Sequence, residues 1–201
     1  MRTITGLYDS YDDARAAVNA LENAGVPSDD ISIVTSKADG VDVEGQGSYA
    51  EEGAGTGAGI GAVAGGAGGL LTGLGMMAIP GVGPVVAAGW LAATAAGAVA
   101  GAVAGGAVGG IVGAMIKEGV PEDEANVYAE GIRRGGSVVT AKVDETKVPE
   151  AQAVLNSSRP VDVASRRASY AEQGWTRFDE TADPYTPSQI DAERQRYLTQ
   201  R

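Results

Sequence analysis

Residues 78–89 read AIPGVGPVVAAG and carry two prolines and two glycines within six positions. Such a cluster of helix-breaking residues indicates a tight turn. The turn lies inside a 64-residue stretch, Gly53–Ile116, that contains no Asp, Glu, Lys or Arg. All 41 charged residues lie in the other 137 positions. The chain is therefore divided into one charge-free unit and two charged flanks.

Glycine recurs at every fourth position on both sides of this turn. Residues four apart stack on one helix face, so each run predicts a side-chain-free stripe that another backbone can approach closely. The sequence predicts an antiparallel helical hairpin, a glycine zipper, with helices Gly53–Met77 and Val85–Ile116 in a unit spanning residues 53–117. The predicted helix-packing residues are Gly57, Gly61, Gly65, Gly69, Gly73, Gly97, Gly101, Gly105, Gly109 and Gly113. The predicted hairpin-turn residues are Pro80, Gly81, Gly83 and Pro84.

Helices so rich in glycine need a close neighbour or lipid. Each interior glycine costs about 1 kcal/mol relative to alanine in an exposed helix. The cost can be offset in a membrane, where the helical backbone has no water to bond, or by tight packing in a soluble homo-oligomer. Both environments stay open. A flexible linker is disfavoured because large apolar residues, such as Leu70 and Trp90, interrupt the Gly/Ala pattern.

The first flank, residues 1–36, predicts a β-α-β unit. Thr3–Asp9 has the pattern of a short strand, and Ser10 is a suitable N-cap for a following helix. Apolar residues then recur with helical spacing, at Ala14, Ala17, Val18 and Leu21. Asp30–Ser36 predicts the second strand, and a polar linker of residues 37–52 leads into the charge-free unit.

The second flank, residues 118–163, predicts the other half of the same domain. Its predicted elements are a helix that begins at Pro121 and ends at Gly135, a strand Ser137–Val143, a helix Val148–Asn156 and a strand Pro160–Val163. Together the two halves predict an α+β fold. The expected architecture is a ferredoxin-like, four-stranded, mainly antiparallel sheet with the Gly/Ala-rich antiparallel helical hairpin inserted.

Composition excludes several kinds of chemistry. The net charge of −11 disfavours nucleic-acid binding, and the absence of Cys and His removes the commonest metal ligands and nucleophiles. The run Gly57–Ala62 loosely matches a dinucleotide-binding pattern, but no acid follows about 20 residues later, as that site requires. We therefore predict no enzyme activity, no catalytic residue, no cofactor and no metal site.

The C-terminal segment, residues 164–201, is polar but holds half of the aromatic residues. They are Tyr170, Trp175, Phe178, Tyr185 and Tyr197. Aromatics in so polar a tail predict docking, either on this domain or on a protein partner. The alternative is an ordinary helix that packs its own apolar stripe.

Three segments together resemble the bacterial general stress protein family, the heat-induced YflT-like domain and its low-temperature-induced relatives. They are TGLYDSYDDARAAVNALENAGVPSDDISIV (5–34), AIPGVGPVVAAG (78–89) and GVPEDEANVYAEGIRRGGSVVTAKV (119–143). The resemblance covers roughly residues 3–145. It implies a bacterial, intracellular, stress-associated protein without catalytic residues. At single positions, it carries over only the packing glycines and the tip prolines.

The residues and the resemblance together predict a non-enzymatic stress-response protein that self-assembles through its glycine-zipper hairpin. We expect it at the cytoplasmic face of a membrane, as a homo-oligomer. Two alternatives stay open. One is a soluble cytoplasmic homo-oligomer whose hairpins pack as a core or stalk. The other is a module that binds a small ligand or a partner on its sheet face.

Overall fold

The computed structural model describes residues 1–37, 75–95 and 110–198. These residues form a mixed α/β fold built on one antiparallel sheet of five strands, in the order β1-β5-β2-β4-β3. The strands are β1 (Arg2–Tyr8), β2 (Ile31–Ser36), β3 (Gly75–Ile79), β4 (Gly83–Gly89) and β5 (Ser137–Val143).

The helices pack on both faces of this sheet. They are α1 (Tyr11–Asn23), α2 (Gly110–Lys117), α3 (Glu122–Arg133), α4 (Val148–Ser157), α5 (Val163–Glu172) and α6 (Pro187–Leu198). Residues 90–95 are also helical. None of the helices in the described ranges is long and apolar enough to cross a bilayer.

The first flank folds as the sequence predicts, as strand, helix and strand. The Ser10 hydroxyl accepts a hydrogen bond from the Asp13 amide at 3.2 Å and caps α1. The four apolar residues predicted to share one face of α1 are buried. Strand β5 lies between β1 and β2, so that Ala141 is opposite both Ile4 and Ile31. The second flank thus supplies β5, the strand that lies between the two strands of the first flank.

Each face of the sheet carries its own hydrophobic cluster. The α1/α4 face packs the aliphatic side chains of both helices on strand residues such as Ile33 and Val139. The α3 face packs α2, α3 and residues 90–95 on residues such as Val34 and Val138. Within the described ranges, both faces of the sheet therefore carry packed helices.

The predicted ferredoxin-like, four-stranded sheet is not confirmed. The segment Pro160–Val163 is not a strand, because Asp162 instead accepts a hydrogen bond from the Ser165 amide at 2.7 Å and caps α5. One ladder-type contact to β1 is present, from the Val161 amide to the Leu7 carbonyl at 2.7 Å. Two strands come instead from the charge-free unit.

The predicted helical hairpin is wrong over residues 75–89, which form a β-hairpin. Strand β4 supplies β2 with a second antiparallel partner, with Val86 opposite Thr35. Because all six residues of β2 are buried, its backbone groups need a partner on each side. The β-branched residues of β4 suit a pleated strand. Residues 53–74 and 96–109, which hold most of the predicted zipper, lie outside the described part of the chain.

Candidate functional site

The predicted packing residues fall mostly outside the described ranges. Gly113 lies in α2 and is half-buried. The other nine are Gly57, Gly61, Gly65, Gly69, Gly73, Gly97, Gly101, Gly105 and Gly109, and their zipper role stays a prediction. The described residues therefore do not test whether the two glycine stripes meet.

The predicted turn residues lie at the tip of the β-hairpin, against the C-terminal segment. Pro80 and Gly81 are in the turn, and Gly83 and Pro84 open β4. A Cβ atom on Gly81 would lie 2.6 Å from the Asp179 carbonyl oxygen, and one on Gly83 would lie 2.7 Å from Pro184 Cβ. Both glycines have positive φ angles. The tip therefore needs glycine both for its conformation and for the close approach of the tail.

The tail docks on the domain itself. Tyr170 and Phe178 are buried, and Tyr170 packs edge-to-face with Trp175 at a centroid distance of 5.5 Å. The Phe178 amide donates to the Asn126 side-chain oxygen at 3.2 Å, which fixes the tail on α3. These contacts account for the aromatic content that the sequence shows. A separate protein partner for the tail stays a prediction.

A buried ion network holds the tail helices to the end of α3. Arg134 Nε donates to Glu130 Oε1 at 2.7 Å, and Arg134 Nη1 donates to Glu193 Oε1 at 2.5 Å. The same Nη1 also donates to Gln173 Oε1 at 2.7 Å, and the Tyr197 hydroxyl donates to Glu193 Oε1 at 2.6 Å. The guanidinium thus joins residues from α3, from the end of α5 and from α6.

The charges in this network stabilise one another. Burial would lower the pKa of Arg134, but hydrogen bonds to Glu130 and Glu193 outweigh it and raise the pKa. Burial would likewise raise the pKa of Glu193, but hydrogen bonds from Tyr197 and Arg134 hold it below the usual value. Both groups stay charged at neutral pH. This arrangement fits a structural clamp and not a proton-transfer site.

A second buried ion pair anchors α5 to the end of β1. Arg166 Nη2 donates to Asp9 Oδ1 at 2.7 Å, and the guanidinium carbon lies 3.6 Å from the centroid of the Tyr197 ring. Sequence reasoning missed both networks. The i,i+4 spacing of Glu130 and Arg134 offered a local signal. No local signal indicated the Arg134–Glu193 and Arg166–Asp9 contacts, because they join distant parts of the chain.

The shifted tyrosines do not supply acid–base chemistry either. Burial raises the pKa of Tyr170 to about 12, and the pKa of Tyr8 and Tyr128 is also raised by burial. These phenols keep their protons at neutral pH. Within residues 1–37, 75–95 and 110–198, no group of three or more Asp and Glu side chains is placed to hold a metal ion.

A cavity of about 760 Å³ runs along the outer edge of β1, and we call it the β1 groove. Its volume lies within the usual range of ligand sites, roughly 300–1,000 Å³. The groove floor is β1 from Arg2 to Leu7. One wall is α4, a second is the start of α3 with residues 119–121, and residues 160–164 with Arg167 close one end.

The floor of the β1 groove carries backbone groups that face away from the sheet. Because the Leu7 carbonyl accepts from Val161, the backbone of Leu7 faces away from β5. Alternation along an antiparallel strand then turns the N–H and C=O groups of Thr3 and Thr5 outward too. Neither has a backbone partner on that side in the described residues. The buried hydroxyls of Thr5 and its cross-strand neighbour Thr140 also lack hydrogen-bond partners there.

The α3 wall of the groove is acidic. Glu124 is half-buried, and the Tyr128 hydroxyl lies 3.4 Å from its Oε2 atom. Asp123 is paired with Arg167 at 2.8 Å. Sequence reasoning missed this groove, because it expected Pro160–Val163 to cover β1 as a fourth strand.

Residues 3–81 match the family model described as the heat induced stress protein YflT domain. The match includes β1, α1, β2 and β3 and ends in the hairpin turn. It covers fewer than half of the 201 residues. Neither the search of curated proteins nor the search of solved structures gave a match.

The family match also concerns the biological role of the protein. The matched model describes a heat induced stress protein domain, and the match supports a stress-response role. It does not test the glycine zipper. Residues 3–81 therefore match the heat induced stress protein YflT domain, and this match confirms the resemblance to the bacterial general stress proteins.

Proposed function

We propose that this protein is a non-enzymatic stress-response protein that self-assembles and associates with the cytoplasmic face of a membrane. The parts proposed to do so are its two glycine-repeat stretches, residues 53–74 and 96–109. The folded domain acts as their support. The membrane gives a low-polarity setting for segments without any charged residue.

One observation carries this proposal, the way in which the second stretch is attached. Leu91 and Ala95 precede residue 96, Ile111 and Met115 follow residue 109, and all four are buried in the cluster on the α3 face. Buried core residues therefore flank this stretch on both sides in the sequence. Such flanking supports a role for the stretch as a packing element that the folded domain holds at both ends.

The site chemistry supports a role without catalysis. Across the described ranges, the buried charges are paired with one another, and the tyrosines with raised pKa values keep their protons. A soluble homo-oligomer is the alternative, and it needs the same close helix contacts but no lipid.

The test measures size and membrane partition of the intact chain. We expect carbonate-resistant association with vesicles, and an assembled species in sedimentation after detergent extraction. Gly65→Leu together with Gly105→Leu should abolish the assembly, because a leucine on each stripe keeps a neighbouring backbone away. Gly47→Leu is the matched control, since Gly47 lies in the polar linker outside the repeat.

The outcomes separate the proposals. A clean oligomer without detergent and without vesicle binding would leave self-assembly in place and remove the membrane. An unchanged sedimentation coefficient for the double variant would remove the zipper. A monomer that stays in the supernatant would overturn the whole proposal.

A further inference from the structure

We propose that the β1 groove binds an extended peptide segment, which pairs with β1 as an added strand and places a basic side chain beside Glu124. This site is separate from the glycine repeats. It uses the outer edge of the sheet, α3, α4 and the start of α5. A partner is therefore recognised by backbone pairing, and a charge selects among partners.

The backbone of the floor is the first argument. An edge strand with free N–H and C=O groups is a template for another strand. Thr3 and Thr5 offer two such residues, and Arg2–Gly6 extends over about 13 Å at roughly 3.3 Å per residue. The hydroxyl of Thr5 is itself buried, so the polar groups that the floor offers to a bound segment are the outward backbone groups of Thr3 and Thr5.

The second argument is that the chain's own segment stops short of filling the groove. Val161 takes the Leu7 carbonyl, and one residue later Asp162 caps α5. Extending the pairing to Thr5 and Thr3 would require unwinding the start of α5. That helix is held by the Arg166–Asp9 pair and by buried Tyr170. Among residues 1–37, 75–95 and 110–198, no other segment pairs with Thr3 and Thr5 on the outer side of β1, and this edge is available to an added strand.

Charge decides which strand fits. A residue opposite Thr3 points to the same face as Thr3, which is the α3 face that carries Glu124. No cation pairs with Glu124 among the described residues, whereas the nearby Asp123 already has Arg167. The chain as a whole carries −11 and attracts cationic segments. A basic side chain opposite Thr3 therefore meets a carboxylate on the wall.

The chain itself suggests a probe peptide. Residues 139–143, VTAKV, already pair antiparallel with β1 on its other side, with Lys142 opposite Thr3. A capped VTAKV peptide can therefore adopt the same register in the groove. In VTAEV the cation is replaced by an anion. In VPAKV the residue opposite Thr5 has no N–H group.

The experiment titrates each peptide into the ¹⁵N-labelled full chain and follows the amide signals by NMR. We expect VTAKV to shift the Thr3 and Thr5 amides and to slow their exchange with solvent. VTAEV should bind a few-fold more weakly, as for a partly exposed ion pair. VPAKV should lose at least tenfold in affinity, because a ladder hydrogen bond is missing.

Two variants make the result specific. Thr5→Pro removes an outward N–H, while the ladder to β5 uses Ile4 and Gly6. It should abolish binding of VTAKV with an unchanged circular dichroism spectrum. Glu124→Lys changes only the wall and keeps the floor. It should reverse the preference, so that VTAEV binds more tightly than VTAKV, and it keeps the test valid if Thr5→Pro fails to fold.

Three results would overturn the proposal. The first is a saturating titration without shifts at Thr3 and Thr5. The second is an equal affinity for VTAKV and VTAEV in both the parent chain and Glu124→Lys. The third is shifts confined to β3, the other sheet edge. If Thr5→Pro instead lowers the oligomer size, a second copy occupies the groove and the peptide proposal is wrong.

Discussion

The two faces of the sheet are filled in different ways. On the α1/α4 face, two amphipathic helices pack aliphatic residues such as Leu21 and Leu155 on the strands. On the α3 face, small residues from the charge-free unit, such as Ala92 and Ala114, pack beneath α3. A buried ion network around Arg134 closes the outer side of α3 under the tail.

The difference concerns which parts of the sequence fill each face. The α1/α4 face is built mainly from the charged flanks, to which β4 adds Val86 and Ala88. The α3 side combines residues from the charge-free unit, the second flank and the tail. The stability of the α3 side therefore depends on segments whose packing position cannot be predicted from their local sequence pattern.

The largest expected effect is on the ion network. Arg134→Met should lower the free energy of unfolding by about 3–5 kcal/mol, because Glu130 and Glu193 would be left buried without a counter-charge. Urea unfolding measures the change. Arg159→Met is the matched control, since Arg159 is 74% exposed in its pair with Asp13 and should cost under about 1 kcal/mol. Equal losses for both variants would contradict a buried clamp.

The next effect compares the two hydrophobic clusters directly. Leu21→Ala and Leu91→Ala should each cost roughly 2–5 kcal/mol, because both side chains are fully buried. Leu21 belongs to the α1/α4 face, and Leu91 follows β4 in the charge-free unit. Denaturant unfolding of both variants gives the comparison. A loss under 1 kcal/mol for Leu91→Ala would show that the charge-free unit is not part of the core.

A smaller effect distinguishes the β-hairpin from a helix. Gly89→Ala should destabilise by about 1–3 kcal/mol, because φ is +88° and a Cβ atom would lie 2.3 Å from the Ile31 carbonyl oxygen. In a helix the same change would stabilise. Gly75→Ala, with nothing within 4 Å of its added Cβ, is the control and should not destabilise. Thermal unfolding measures both, and a raised melting temperature for Gly89→Ala would restore the helical prediction.

The smallest effect is a pH dependence on the α3 side. The pKa of Glu193 in the folded chain lies below the ordinary value of 4.5. Its carboxylate therefore stabilises the fold above that value, and the contribution is lost as the pH falls through the folded pKa. Glu193→Gln should be less stable than the parent chain at pH 7, and the difference should shrink below pH 4.5. A difference independent of pH would show that the charge is not involved.

The sequence predicted the flanks well because several signals agreed there. In α1, the cap Ser10, the acidic first turn and the four buried apolar residues all indicated the same helix. The strand Ser137–Val143 was also predicted with its bounds. When local conformational preference and tertiary packing agree in this way, the secondary structure of a segment can be predicted from its sequence.

The structure of the charge-free unit was harder to predict, because glycine at every fourth position does not by itself determine the backbone conformation. At residues 75–89, the strand β2 needed a second partner, and this tertiary demand overrode the helical period. Pro80 and Gly81 lie in the turn, Gly83 and Pro84 begin β4, and the arms of this turn are strands and not helices. Tertiary context, which the local pattern does not contain, decided the outcome.

Almost nothing in the sequence indicated the β1 groove or the ion network around Arg134. The β1 groove exists because Asp162 begins a helix where a fourth strand was expected, and a single capping contact made that choice. The clamp around Arg134 joins residues up to 59 positions apart. Neither arrangement follows from the spacing of neighbours along the chain.

The shared guanidinium of Arg134 has a consequence for how the molecule comes apart. One side chain binds the end of α3, Gln173 after α5 and Glu193 in α6. If either tail helix detaches, the Arg134 guanidinium loses a hydrogen-bond partner. The contact of Arg134 with the remaining tail helix is then weakened. We therefore expect the two tail helices to open as a single cooperative unit, so that a protease cleaves both or neither.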